Sequence, residues 1–256
     1  MSGPVLLLDA GNSRLKWALL APHAPLSYLA EGSQAYDQLA QLPLALAHHP
    51  AVSHILGCNV AGPAIAEQLA ACLALPIDWL KPTANQAGLS NRYREPAQLG
   101  ADRWAAMLGA RSLGASDAIV VMAGTAMTVD ALTAEGVFLG GLIVPGYRLM
   151  RQSLAQGTAD LGLPDGSTVD FPQATGEAIV NGALLALTGA IMQMHGRLEK
   201  HTGHGAQVWL SGGDASLLAP LLTPMLATRL SAVDNLVLRG LAKLASDASP
   251  NWNPVP

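Results

Sequence analysis

A chain of 256 residues allows one large domain or two of about 100–150 residues each. Half of it is hydrophobic, 12% is charged and 4% aromatic, so a core built from Ala, Leu and Val is expected, and neither a disordered chain nor a charge-rich coiled coil fits. The formal net charge of −4, with no Lys/Arg cluster, argues against nucleic acid as a main partner.

Cys58 and Cys72 form no C-x-x-C pair and lack metal-ligand spacing to a histidine, so they read as small apolar side chains in a reducing compartment. The apolar run at the N-terminus stops at Asp9, too short for a signal peptide. No stretch is read as the ~20 apolar residues that cross a bilayer. A cytoplasmic location without membrane contact is therefore expected.

The chain opens on Val5–Leu19, VLLLDAGNSRLKWAL, and a degenerate copy follows at Ala118–Leu132, AIVVMAGTAMTVDAL. Aligned without gaps, Gly11 falls on Gly124, Ala10 on Ala123, Asn12 on Thr125 and Leu19 on Leu132. Each copy reads as strand, glycine turn, strand. A turn at Ala21–Pro25 and a strand at Leu26–Ala30 complete a first three-stranded meander; a turn at Thr133–Gly136 and a strand at Val137–Val144 complete a second. Apolar periodicity predicts helices over Leu39–Ala47, Ala64–Ala74, Arg103–Leu113, Glu177–Lys200 and Leu236–Ala245. Strands are predicted at Ile55–Asn59, Ile77–Leu80 and Val208–Ser211. Alternating strands and helices imply α/β layering with a partly parallel sheet. The duplication implies two domains, 1–115 and 116–256, meeting at the Gly/Ser-containing stretch Leu113–Ser116, with a cleft between them. The Pro/Asn-rich tail, Ser249–Pro256, is expected to fray.

Four segments could carry chemistry. In Asp9–Ser13 (DAGNS) a strand delivers a carboxylate to a glycine turn. Such a turn can cradle phosphate with backbone N–H groups while the carboxylate holds Mg²⁺, or it can be a plain polar hairpin. Gly124–Thr128 (GTAMT) is its uncharged counterpart, with hydroxyls at Thr125 and Thr128. Two matched turns suit a chain of phosphates better than one does, and point to a phosphotransferase. Val208–Leu218 (VWLSGGDASLL) ends a strand at Gly212–Gly213 and starts a helix, whose first N–H groups favour anions. In Tyr93–Trp104 (YREPAQLGADRW), Asp102 and Arg103 open a helix. Asp102 reads either as a helix-start charge or as a general base, and Arg103 as an anion clamp. The Walker A pattern and the G-x-S-x-G elbow are both absent. His48, His49, His54, His201 and His204 read as surface or packing residues.

With these segments in hand, the chain resembles type III pantothenate kinases, in the Bvg accessory factor-like subgroup of the acetate and sugar kinase, heat-shock protein and actin superfamily. The resemblance runs over nearly the whole chain and rests on DAGNSRLKWAL, YREPAQLGADRW, GTAMTVDAL, GVFLGGLIVPG and WLSGG. It implies duplicated ribonuclease H-like (actin-like ATPase) domains, each a mixed five-stranded sheet flanked by helices. It also implies phosphorylation of pantothenate by ATP, the first step of coenzyme A biosynthesis, in a homodimer that needs a divalent and a monovalent cation. The implied ATP-binding residues are Asp9, Ala10, Gly11, Asn12, Ser13, Arg14, Leu15 and Lys16, then Gly124, Thr125, Gly212 and Gly213, with Asp9 near magnesium. Asp102 is the implied proton acceptor; Tyr93, Gly100, Ala101, Asp102, Arg103 and Thr175 are the implied pantothenate contacts. Two positions depart from the family pattern. Met122 stands where many members have an Asp that binds the monovalent cation (K⁺ or NH₄⁺), and a thioether is a poor ligand for a hard cation. Ala174 stands where Asn is usual before Thr175. Two other readings share the fold: an accessory transcriptional regulator, and a kinase for another small hydroxylated substrate.

Overall fold

The computed structural model describes residues 3–22, 24, 26–157 and 163–247. The turn expected at Ala21–Pro25 lies partly outside these residues, and the tail expected at Ser249–Pro256 lies wholly outside them. By internal contacts the chain forms two units, Met1–Gly114 with Asn235–Pro256, and Ala115–Asp234.

The first unit runs β1 (Val5–Ala10), β2 (Leu15–Leu20), β3 (Tyr28–Gln34), a 3₁₀ turn at Tyr36–Gln41 leading into α1 (Leu42–Leu46), β4 (His54–Asn59), α2 (Pro63–Cys72) and β5 (Ile77–Trp79). A short hairpin, β6 (Asn85–Gln86) and β7 (Leu89–Asn91), precedes α3 (Ala101–Ser112). Its sheet order is β3-β2-β1-β4-β5, antiparallel on the meander side and parallel from β1 outward. Strand alternation divides the faces of this sheet. Leu6, Leu8, Ala10, Leu15, Trp17 and Leu19 enter a core with Leu39, Leu42 and Leu69. Asp9 and Lys16, directly opposed across the hairpin, point to the other face.

The second unit repeats the plan with β8 (Ala118–Ala123), β9 (Ala126–Leu132), β10 (Val137–Pro145), α4 (Tyr147–Gly157), α5 (Thr175–Thr202), β11 (Gln207–Ser211), α6 (Ala215–Leu226) and β12 (Leu230–Ala232). The strand order β12-β11-β8-β9-β10 has the same topology as the first sheet. The predicted duplication of a mixed five-stranded sheet is therefore present. The gapless alignment fails after the turn, however. Ala10 pairs with Leu15 but Ala123 pairs with Met127, so the second turn is one residue shorter and Leu19 corresponds to Ala131, not Leu132.

The last described element, α7 (Leu236–Asp247), belongs to the first unit, so the expected second domain, 116–256, loses its final helix. The reason is steric fit. α7 lies along α3 and against β1, β2 and β4. Where the helices cross, a Cβ on Gly109 would collide with the carbonyl oxygen of Leu236, and one on Gly240 with that of Ala105. Only bare backbone permits this approach. Among the described helices, α5 alone is long and apolar enough by composition to cross a membrane, against the expectation that no stretch would be. It carries Glu177, Arg197, Glu199 and Lys200, and Val180, Leu184, Leu187 and Ile191 are built into the core of the second unit. That is the pattern of a core helix. It ends on Gly203 in the left-handed region, whose N–H donates to Glu199 O at 2.9 Å.

Candidate active site

In the first unit, β1 ends on Ala10, and Gly11–Arg14 turn the chain into β2. Asn12, Ser13 and Arg14 are exposed, whereas Ala10 and Leu15 are fully buried in the core. Those last two residues can reach a ligand only through their backbone. The turn is pinned from outside by the Tyr36 hydroxyl, which donates to Gly11 O. Burial pushes the Asp9 carboxyl up to about 7, against the pull of the Lys16 ammonium, and Asp102 adds to the rise. Lys16 Nζ donates to Asn235 Oδ1 at 3.1 Å.

Asp102 lies in the first turn of α3, where it accepts a hydrogen bond from the Arg103 N–H at 2.8 Å. Burial raises its pKa, and the Arg103 N–H and guanidinium oppose the rise. Gly100 makes room for this carboxylate, since a Cβ there would sit 2.6 Å from Asp102 Oδ1. Arg103 is buried; its Nη1 donates to the Tyr93 hydroxyl at 2.8 Å and its guanidinium lies 5.6 Å from that ring's centroid. Tyr93 N–H donates to Asn91 Oδ1 at 3.0 Å, and Trp104 Nε1 donates to Gln86 Oε1 at 2.7 Å. The β6–β7 hairpin thus clamps the start of α3. Tyr93, Gly100, Ala101, Asp102 and Arg103 are brought together as the sequence suggested. The clamp residues Gln86 and Asn91 gave no signal beyond their place in a turn-rich stretch.

In the second unit the Gly124–Thr125 turn is buttressed by backbone. Gly146 N–H donates to Thr125 O at 2.9 Å and Asp214 N–H to Ala123 O at 3.1 Å. Gly212, at φ +106°, presses on Ala123 so closely that a Cβ would collide with its carbonyl oxygen. The two glycine segments predicted to bind ATP in this unit are therefore neighbours. Gly212 is needed by the fold. Gly11 and Gly124 are not, because neither has a left-handed φ and a Cβ would meet nothing closer than 3.7 Å. Glycine at these two turns leaves open space facing outward, as an anion cradle requires. Thr175, at the start of α5, lines an apolar groove of about 500 Å³ with Met150, Leu154 and Ile179.

Met122 pairs with Thr128 on β9 and with Ser211 on β11. The hydroxyls of both neighbours are buried without a hydrogen-bond partner. Met122 thus presents a thioether, a poor ligand for a hard cation, where its two strand neighbours present hydroxyls. Asp9 does fit Mg²⁺, which takes one or two carboxylates and fills its remaining positions with water and phosphate oxygens. No cluster of three or more acidic, His or Cys side chains suited to an all-protein metal cage occurs among the described residues.

Residues 5–197 match the family model of type III pantothenate kinase. A type III pantothenate kinase from Chromobacterium violaceum is 46% identical over 242 residues, covering 94% of this chain and 99% of the relative. One from Laribacter hongkongensis is 46% identical over 241 residues, with coverage of 94% and 98%. Among solved structures, a putative Baf family transcriptional activator from Campylobacter jejuni superposes with a TM-score of 0.66 at 22% identity, covering 96% of this chain and all of that one. A putative 2-dehydro-3-deoxygalactonokinase from Sinorhizobium meliloti gives 0.62 at 17%, covering 96% and 99%. These two likenesses show the fold alone.

Two outcomes are expected. Gly100→Ala displaces the Asp102 carboxylate and lowers kcat on the order of 10²-fold with little change in thermal midpoint, as steady-state kinetics and melting curves together will show. Asp9 carries a pKa raised in the folded state, so between about pH 4 and pH 7 the folded protein binds more protons than the unfolded chain. Stability therefore falls as pH rises through that window. Asp9→Asn removes Asp9's share of the slope: in metal-free buffer it melts above wild type at pH 8 and with it near pH 4.

Proposed function

The chain belongs to the type III pantothenate kinase family, and on that premise we propose that it transfers a phosphoryl group from ATP to the hydroxyl of pantothenate, with Asp102 as proton acceptor. The observation that carries the residue assignment is the constrained start of α3. Asp102 is fixed by its neighbour's N–H, given space by Gly100, and set beside a buried arginine–tyrosine pair.

The carboxylate orients the substrate hydroxyl and takes its proton as the O–P bond forms. Its raised pKa makes it a better base than an exposed aspartate. The reaction passes through a loose transition state, so positioning counts for more than deprotonation. Tyr93 and Arg103 are proposed to hold the pantothenate end. The Gly11–Arg14 turn with Lys16, and Gly124, Thr125, Gly212 and Gly213 of the second unit, are proposed to bind ATP. Asp9 would hold Mg²⁺, which would neutralise phosphate charge there. Met122 is proposed to have removed the monovalent-cation requirement, because a thioether is a poor ligand for a hard cation. The enzyme is proposed to work in the cytoplasm as a homodimer. Supporting the dimer, Ile143 and Leu185 are 64% and 68% exposed, and the α4–α5 groove beside Thr175 is apolar. Sedimentation at micromolar concentration should give twice the chain mass; a monomer removes the dimer from the reading.

ADP release from MgATP tests the kinase directly. Pantothenate-dependent turnover is expected, similar in K⁺, NH₄⁺ and a bulky organic cation, and reduced about 10²–10⁴-fold by Asp102→Asn. Turnover that ignores pantothenate sinks the substrate. Near-normal turnover by the variant removes Asp102 from its role, and a steep rise in K⁺ shows that a cation is bound elsewhere.

A further inference from the structure

Asn235 is the first residue of the segment that returns to the first unit, and it stands directly before α7. Its backbone lies at φ +56°, a region that asparagine tolerates and most side chains avoid. Its carbonyl accepts the first helical hydrogen bond, from Arg239 N–H at 3.1 Å. Capping α7 does not occupy its side chain: Oδ1 accepts from Lys16 Nζ at 3.1 Å, across 219 positions of sequence.

Lys16 lies opposite Asp9 in the β1–β2 register, so both side chains rise from the same face of the sheet. An ammonium on a four-carbon stem has many rotamers, and left alone it would collapse onto the nearest carboxylate or swing into water. A neutral amide oxygen can fix such a group without cancelling its charge. Asp9 already places a carboxylate on this face, and a second one at 235 would compete with phosphate for the lysine. An amide leaves the ammonium placed and still cationic.

We propose that Asn235 is a positioning residue for phosphoryl transfer: through its side-chain oxygen it presets the Lys16 ammonium at the first turn, ready for an ATP phosphate. This rests on the reading of the Asp9–Lys16 turn as an ATP-binding element. It places the last described helix in the service of the first hairpin. The family pattern of short motifs would not reveal this, because Asn235 lies outside all of them.

The test is a kinetic cycle on the intact protein, with melting curves on each variant. Asn235→Gly suits the positive φ and removes only the amide. It is expected to melt close to wild type and to lose roughly tenfold in kcat/KM for ATP, the size of one hydrogen bond to a charged group. In a Lys16→Met background the same substitution is expected to have no further effect. Asn235→Asp, which tolerates the backbone but sets a competing carboxylate against the lysine, is expected to raise the KM for ATP at low salt, a loss that added salt partly relieves. Wild-type kinetics for Asn235→Gly, alongside an impaired Lys16→Met, overturns the proposal. So does a loss that persists undiminished in the Lys16→Met background, since the effect then does not pass through the lysine. If Asn235→Gly melts early, Asn235→Asp decides: wild-type kcat/KM for ATP at low salt overturns the proposal, because a carboxylate on the lysine must then compete with nothing. Wild-type kinetics for Lys16→Met is a separate failure and would remove the ATP-binding reading of the turn itself.

Discussion

Two helices in the first unit approach until backbone meets backbone. At the crossing of α3 and α7 there is no side chain on Gly109 or Gly240, and the carbonyls of Leu236 and Ala105 fill the space a methyl would need. A crossing of this kind has little freedom to slide, because any shift drives peptide atoms into each other. Both helices also carry at the start a polar residue to which a role in the site is proposed. Asp102 sits in the first turn of α3, and Asn235 stands just before α7. The packing of two glycines thus fixes the origin of the carboxylate and of the lysine's partner relative to the sheet that carries Asp9.

The two copies of the meander have diverged in a chemically sensible direction. The first turn carries charge, with a carboxylate and an ammonium opposed across the hairpin and a tyrosine hydroxyl bracing the loop from outside. The second turn is one residue shorter, holds no charge, and is braced by backbone from Gly146, Gly212 and Asp214. Burial raises both carboxylates, Asp9 and Asp102, because each is delivered by a rigid element to an enclosed position rather than by a solvated loop.

The duplication was readable because strand alternation and a glycine turn are local patterns, and Leu6, Leu8 and Ala10 against Asp9 already reveal which side faces the core. The one-residue difference between the turns was not, since apolar residues on both sides of the slip satisfy either register. Tyr93, Gly100, Asp102 and Arg103 lay within one short motif and came together as read. Gln86, Asn91, Tyr36 and Asn235 did not register, because each acts through a contact with a distant segment. For Asn235 the only local hint was a polar residue before an apolar run, the mark of a helix start. The destination of α7 was equally hidden: its pattern calls for a buried face and says nothing about which sheet supplies it.

That destination bears on how the protein is made. Translation delivers the first hairpin, the Asp102 helix and their sheet before Ala115–Asp234, and the helix that lies against that sheet after it. The earlier portion of the first unit therefore waits, with part of an apolar surface uncovered, while the intervening segment is made. Loss of α7 is thus a lesion of the unit that carries Asp9 and Asp102, although α7 is written beyond Ala115–Asp234.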